Sequence, residues 1–140
     1  MATHTIGVVL CQCLPEPHRE GEVALLDAGT RRPLCIGRSG AHFCQQRAGA
    51  MIDHGPLKGT CISAEQLELT FEGEGARVRN IGNAHVFVDG SPLPKESSVF
   101  VLPGAVIEVL GHCVLASRWP KGVAGIKGGA PRVRMSQIVP

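Results

Sequence analysis

Apolar and polar residues alternate in short runs along this chain, and turn-forming residues interrupt them about every six to ten positions. A period of two marks strands with one face buried. Thr5–Cys13 (TIGVVLCQC) predicts a first strand, ended by Leu14-Pro15-Glu16-Pro17, because proline cannot donate to a sheet ladder. Glu22–Asp27 and Pro33–Arg38 predict the next two, joined by a turn at Ala28-Gly29-Thr30. Ser39 to Lys58 has no clean period and predicts a long loop with one helical turn near Phe43–Arg47. Thr60–Ser63 reads as short and extended, and Leu67–Glu72 (LELTFE) as a half-buried strand. It pairs back through a Glu74-Gly75 turn to Ala76–Asn80. His85–Val88 is closed by Asp89-Gly90, a type I′ signal. Ser98–Leu102, Val106–Leu110 and Cys113–Ser117 complete a meander.

The fold class that follows is all-β, an antiparallel β-sandwich of about ten to eleven short strands. Residues 1–120 form that domain, and residues 121–140 are expected to be a basic Gly/Pro-rich flexible tail or linker. Trp119 reads as a cap on the sandwich end. Function in such sandwiches sits on loops gathered at one end. Here these are Ser39–Lys58, Ser63–Gln66 and Ile81–His85.

Composition agrees with strands and turns: 18 Gly, 10 Pro and 4% aromatics, with no Tyr, disfavour a helix bundle. No apolar run approaches the roughly 18 residues of a membrane span, and no secretory leader is legible at the start. The formal net charge of +2 hides an asymmetry. Residues 1–108 sum to −3, whereas residues 109–140 carry Arg118, Lys121, Lys127, Arg132 and Arg134 without an acid. Five charges spread over 32 residues read as a solvated linker, so direct nucleic-acid contact is not expected.

The six cysteines lack the spacing of a secreted disulfide framework, and Cys11, Cys35, Cys61 and Cys113 sit in apolar runs as small hydrophobes. All are expected reduced, in a cytoplasmic protein. Cys11-Gln-Cys13 puts two thiols on one face of a strand, with His18 not far on, but no second ligand pair follows. No metal and no cofactor are expected. No carboxylate pair, nucleophile elbow or metal quartet supports an enzyme, nor is a small-molecule substrate expected.

Four pieces occur in a telling order: Ile36-Gly37-Arg38, then Ile62-Ser63-Ala64-Glu65-Gln66-Leu67, then Arg79-Asn80-Ile81-Gly82-Asn83-Ala84-His85-Val86-Phe87-Val88-Asp89-Gly90, then Leu102-Pro103-Gly104-Ala105-Val106-Ile107. Over roughly residues 20–118 this resembles a forkhead-associated (FHA) domain: Gly-Arg, then Ser-Arg-x-His, then Asn-Gly-Thr before a V-N-G hairpin. The resemblance implies a module that binds phosphothreonine peptides of a protein partner. The loop Arg and Ser hold the phosphate, a second Arg adds charge, and an Asn grips the peptide backbone. Carried over, Arg38 and Ser63 are present. The second Arg is Ala64, the His is Gln66 and the Asn is Ala84, with Asn83 one position early. The phosphate grip is incomplete. Lys58 and Arg79 are candidate auxiliary cations, and Gln66 reads as a brace for the loop.

A narrower resemblance joins Pro17-His18-Arg19-Glu20-Gly21-Glu22, the Ser63-to-Leu67 motif and Arg118-Trp119-Pro120. It is similar to the amino-terminal FHA region of bacterial sigma-54-dependent transcription activators. That implies a regulatory role in signalling or transcription control. The alternative is a degenerate scaffold that works by phosphate-independent protein contact or as a homodimer.

Overall fold

The computed structural model describes residues 5–27 and 32–118. The Ala28-Gly29-Thr30 turn, Trp119 and the expected tail at 121–140 lie outside them. Among the described residues twelve strands, against the ten to eleven expected, form two antiparallel sheets, and the all-β sandwich is the architecture that the alternation predicts. They are β1 (Thr5–Cys13), β2 (Val23–Asp27), β3 (Leu34–Ile36), β4 (Cys44–Arg47), β5 (Ala50–Asp53), β6 (Leu67–Glu72), β7 (Gly75–Asn80), β8 (Val86–Val88), β9 (Ser91–Leu93), β10 (Ser98–Val101), β11 (Val106–Val109) and β12 (Cys113–Arg118). The larger sheet runs β5-β4-β2-β1-β12-β11-β8-β9, and the smaller β10-β7-β6-β3. A single 3-10 turn, Pro17–Arg19, joins β1 to β2.

The core lies between the sheets. Ile6, Val8, Leu10, Leu26, Ile107 and Leu115 of one meet Ile36, Leu67, Leu69 and Val78 of the other. Burying each such side chain is worth about 1.5–3 kcal/mol. In β1 the plain alternation fails at one place. The β1–β12 register shifts between Leu10 and Gln12, and this bulge returns Cys13 to the core where strict alternation would place Gln12. Cys11 is therefore only half-buried, its thiol bonded to the Val9 carbonyl, and the two thiols do not share a face as their spacing suggested.

The largest departure is in the segment read as a loop with one helical turn. Residues 44–53 form the β4–β5 hairpin, which joins the larger sheet through the single pair Val23↔Cys44. Its reversal uses Ala48 and Gly49, both at positive φ, and every residue of β5 is exposed. Alternation could not mark strands with no buried face. Nor is the rest of the connection loose. Phe43, Leu57 and Ile62 are buried in the core. Arg19, 1% exposed, reaches across to bind it. Its guanidinium donates to Glu22 at 2.8 Å, Glu16 at 3.2 Å, and the carbonyls of Pro56 at 2.8 Å and Gly55 at 2.6 Å. His54 bonds the other oxygen of Glu22.

Smaller differences concern boundaries. Thr60–Ser63 is turn and bend rather than strand, and the β6–β7 reversal falls on Gly73-Glu74, one residue early. Asp89 and Gly90 both take positive φ, as a type I′ hairpin requires, and β9 follows them.

Candidate functional site

β3 ends at Ile36, and the chain turns at Gly37 against the segment leading into β6. A side chain at Gly37 would overlap the carbonyls of Ser63 and Ala64, so only glycine permits this approach. Two backbone bonds then zip the loops together, Arg38 N–H to the Ser63 carbonyl at 3.1 Å and Ser39 N–H to the Ala64 carbonyl at 2.9 Å. The Gly-Arg pair is thus one construction. The glycine brings the loops into contact and the arginine stands beside Ser63.

Arg38 is exposed, and its Nε donates to the Ile62 carbonyl at 2.8 Å, which orients the guanidinium. The Ser63 hydroxyl accepts the Asn83 backbone N–H at 2.8 Å, leaving its own proton to donate outward. Arg38, Ser39, Ser63, Ala64, Glu65, Ile81, Gly82 and Asn83 line an open depression of about 440 Å³. Three sequence-predicted residues, Arg38, Ser63 and Asn83, therefore meet there. Ala64 contributes a methyl group where the resemblance puts a second guanidinium, and Glu65 places a carboxylate on the rim.

The two auxiliary cations are elsewhere. Arg79 pairs with Glu96 at 2.6 Å and Glu68 at 3.8 Å on the outer face of β7. Lys58 lies outside the depression, its carbonyl bonded to His112 Nε2 at 2.6 Å.

Gln66 organises the loop end from below. It is fully buried, and its Oε1 accepts the N–H groups of Ser63 at 3.0 Å and Ala84 at 3.3 Å. Its Nε2 donates to Asn80 Oδ1 at 2.9 Å and the Ala84 carbonyl at 3.1 Å. Its backbone carbonyl accepts Ile81 and Gly82. Ala84 is thus bound through both backbone groups and packs against the core. Of Asn83 and Ala84, it is Asn83 that lines the depression.

One cation escaped the sequence reading. Lys95, in the turn between β9 and β10, donates to Asn83 Oδ1 at 2.7 Å. Buried Asn80 holds that turn in place. Its Nδ2 donates to the Leu93 carbonyl at 2.9 Å, while its backbone bonds Glu96 and Ser97. The Pro94-Lys95 pair carries no motif. Only the long-range pairing of β7 with β10 reveals its position.

Among the described residues no cluster of three or more His, Cys, Asp or Glu could hold a metal, and no helix is long and apolar enough to cross a membrane. All six cysteines are unpaired.

No protein-family model matches the sequence, and no curated protein is significantly similar to it. Solved structures do match. The FHA domain of an Arabidopsis thaliana hypothetical protein is 18% identical and superposes with a TM-score of 0.58, covering 87% of this chain and 91% of that one. The FhaA FHA domain, solved with the intracellular domain of Rv3910, is 20% identical with a TM-score of 0.54 and coverage of 81% and 99%. The amino-terminal FHA domain of S. cerevisiae RAD53P, solved with a phosphothreonine peptide, is 13% identical with a TM-score of 0.51 and coverage of 83% and 94%. The chain has the FHA fold.

Proposed function

We propose that this chain is a non-enzymatic protein-recognition module that reads phosphothreonine through an abridged FHA grip. The observation that carries the reading is the Gly37 contact, which bonds the Arg38 and Ser63 backbones so that both residues line one open depression. A phosphate dianion needs charged and hydroxyl donors converging from an accessible surface, and these two groups supply both kinds. With Ala64 in place of a second guanidinium and Glu65 on the rim, binding is weak, of order 100 μM or poorer. The role is regulatory, in signalling or transcription control, and the partner is a protein segment presented in extended form.

A second reading is contact independent of phosphate, through pairing with another copy or a partner strand. It is favoured by β5, an edge strand exposed along its whole length with Met51 at 56% and Ile52 at 39% exposure.

Titration of the whole chain against an oriented phosphothreonine peptide library and its unphosphorylated twin separates the two. Selective binding of phosphorylated members, lost in Arg38→Ala with an unchanged melting temperature, is expected. Equal binding of both libraries overturns the phosphate reading.

A further inference from the structure

Asn83 touches two groups at once. Its backbone N–H donates to the Ser63 hydroxyl at 2.8 Å, and its side-chain oxygen accepts the Lys95 ammonium at 2.7 Å. The Lys95 charge is therefore carried to the edge of the depression that Arg38 and Ser63 line, at a residue lining both that depression and the neighbouring hollow of about 400 Å³. The two hollows meet along Gly82 and Asn83.

The surroundings of Lys95 leave its charge uncompensated. Its neighbour Glu96 is drawn away to Arg79 at 2.6 Å, and Glu68 flanks Arg79 as well. No carboxylate among the described residues pairs with Lys95 within 4.0 Å. Glu96 takes a positive φ of 70°, a conformation side chains seldom adopt, and the Asn80 carbonyl accepts its N–H at 2.6 Å. The turn is thus anchored by Asn80, which directs one charge of the Lys95-Glu96 pair toward the depression and the other to β7.

Resting on the proposed phosphate reading, we infer that Lys95 is the second cation of the anion site, replacing from the β9–β10 turn the charge missing at Ala64. An amide oxygen is a weak partner for an ammonium, and a phosphate oxygen is a stronger one. The four-carbon stem lets the ammonium swing from Asn83 Oδ1 to an anion beside Ser63. Release of Lys95 then frees the Asn83 amide to bond the main chain of the bound segment. The ligand class is a dianionic phosphate on an extended peptide, held between Arg38 on one side and Lys95 on the other.

The test uses the whole chain and N-acetyl-phosphothreonine N-methylamide as probe, with NMR shifts of the Ser63 and Asn83 amides as readout. Lys95→Gln keeps a donor for Asn83 Oδ1 and removes only the charge, so it separates electrostatics from loop positioning. It is expected to weaken the probe about fivefold, with the difference shrinking in high salt. Lys95→Arg is expected to restore binding, and Lys58→Gln to leave it unchanged. If Lys95→Gln binds as the wild type does while Arg38→Gln loses binding, the assignment of Lys95 is overturned and the phosphate reading stands. If the wild-type amides do not shift saturably, both are overturned.

Discussion

The side-chain amide of Gln66 occupies the space in which a Cβ on residue 82 would stand, so Gln66 and Gly82 are matched to each other. Both sit beneath the loop end, Gln66 buried and Gly82 with its N–H on the Gln66 carbonyl. Gly82→Ala is expected to cost about 2 kcal/mol through this overlap. The double variant with Gln66→Ala should cost less than the sum of the single changes, because removing the amide makes room. Additive losses in thermal unfolding would refute the match.

Gln66→Leu tests the network itself. Leucine fits the volume but strips partners from Ser63 N–H, from Asn80 Oδ1 and from both backbone groups of Ala84. A loss of about 3 kcal/mol is expected. Amide exchange at Ser63 and Ala84 should accelerate more than in the β1–β12 ladder. A variant as stable as the wild type would show that the loop end does not depend on Gln66.

Arg19→Met should be among the most damaging single changes. It leaves the buried Glu22 carboxylate without its guanidinium and frees the carbonyls of Gly55 and Pro56. Breaking a buried ion pair from one side costs about 3–5 kcal/mol. Arg19→Met with Glu22→Leu should recover part of that, read from urea midpoints. An unchanged midpoint for the single variant would contradict the clamp.

Asp53 at the base of the hairpin predicts an acid transition of local kind. The His42 ring 2.9 Å from its carboxylate, and then the Gly55 N–H bonded to it at 2.7 Å, hold its carboxyl below the ordinary value of 3.8. A depressed carboxyl stabilises the folded form above its unfolded-state value and loses that contribution as pH falls through the folded one. The hairpin should therefore loosen below about pH 4, and Asp53→Asn should remove this dependence. NMR titration of Asp53 in the native chain checks it, and a midpoint above the ordinary value would reverse the sign.

The thiols should react in a set order. Cys61 is exposed, whereas Cys13 and Cys113 face each other across β1 and β12 inside the core. Burial raises the pKa of Cys11, Cys13, Cys35, Cys44 and, furthest, Cys113 above the ordinary thiol value, which suppresses the reactive thiolate. Iodoacetamide at pH 8 should label Cys61 first, and Cys13 and Cys113 only on unfolding. Early labelling of Cys113, read by mass spectrometry, would contradict the packing.

The strands with one buried face were legible in the sequence. Leu67–Glu72 alternates because one side of β6 packs on the core, and Asp89-Gly90 signals its turn because two successive positive φ angles favour such residues. The hairpin at 44–53 was not legible, since β5 buries nothing and leaves no period. The β1 bulge was hidden too: one extra residue changes which thiol is buried without changing composition.

At the candidate site the same division holds. By itself the sequence placed Gly37-Arg38 and Ser63 together only through their resemblance to the ordered motifs of FHA domains, which are short and local and so are written in residue type. Only the tertiary structure decided which other charges accompany them. Arg79 is turned outward to Glu96, Lys58 lies outside the depression, and Lys95 arrives from a turn 32 residues beyond Ser63. The physical reason is that charge acts through space. Strand pairing sets those distances, and Asn80, bonded to Gln66 on one side and to Leu93 and Glu96 on the other, sets this one.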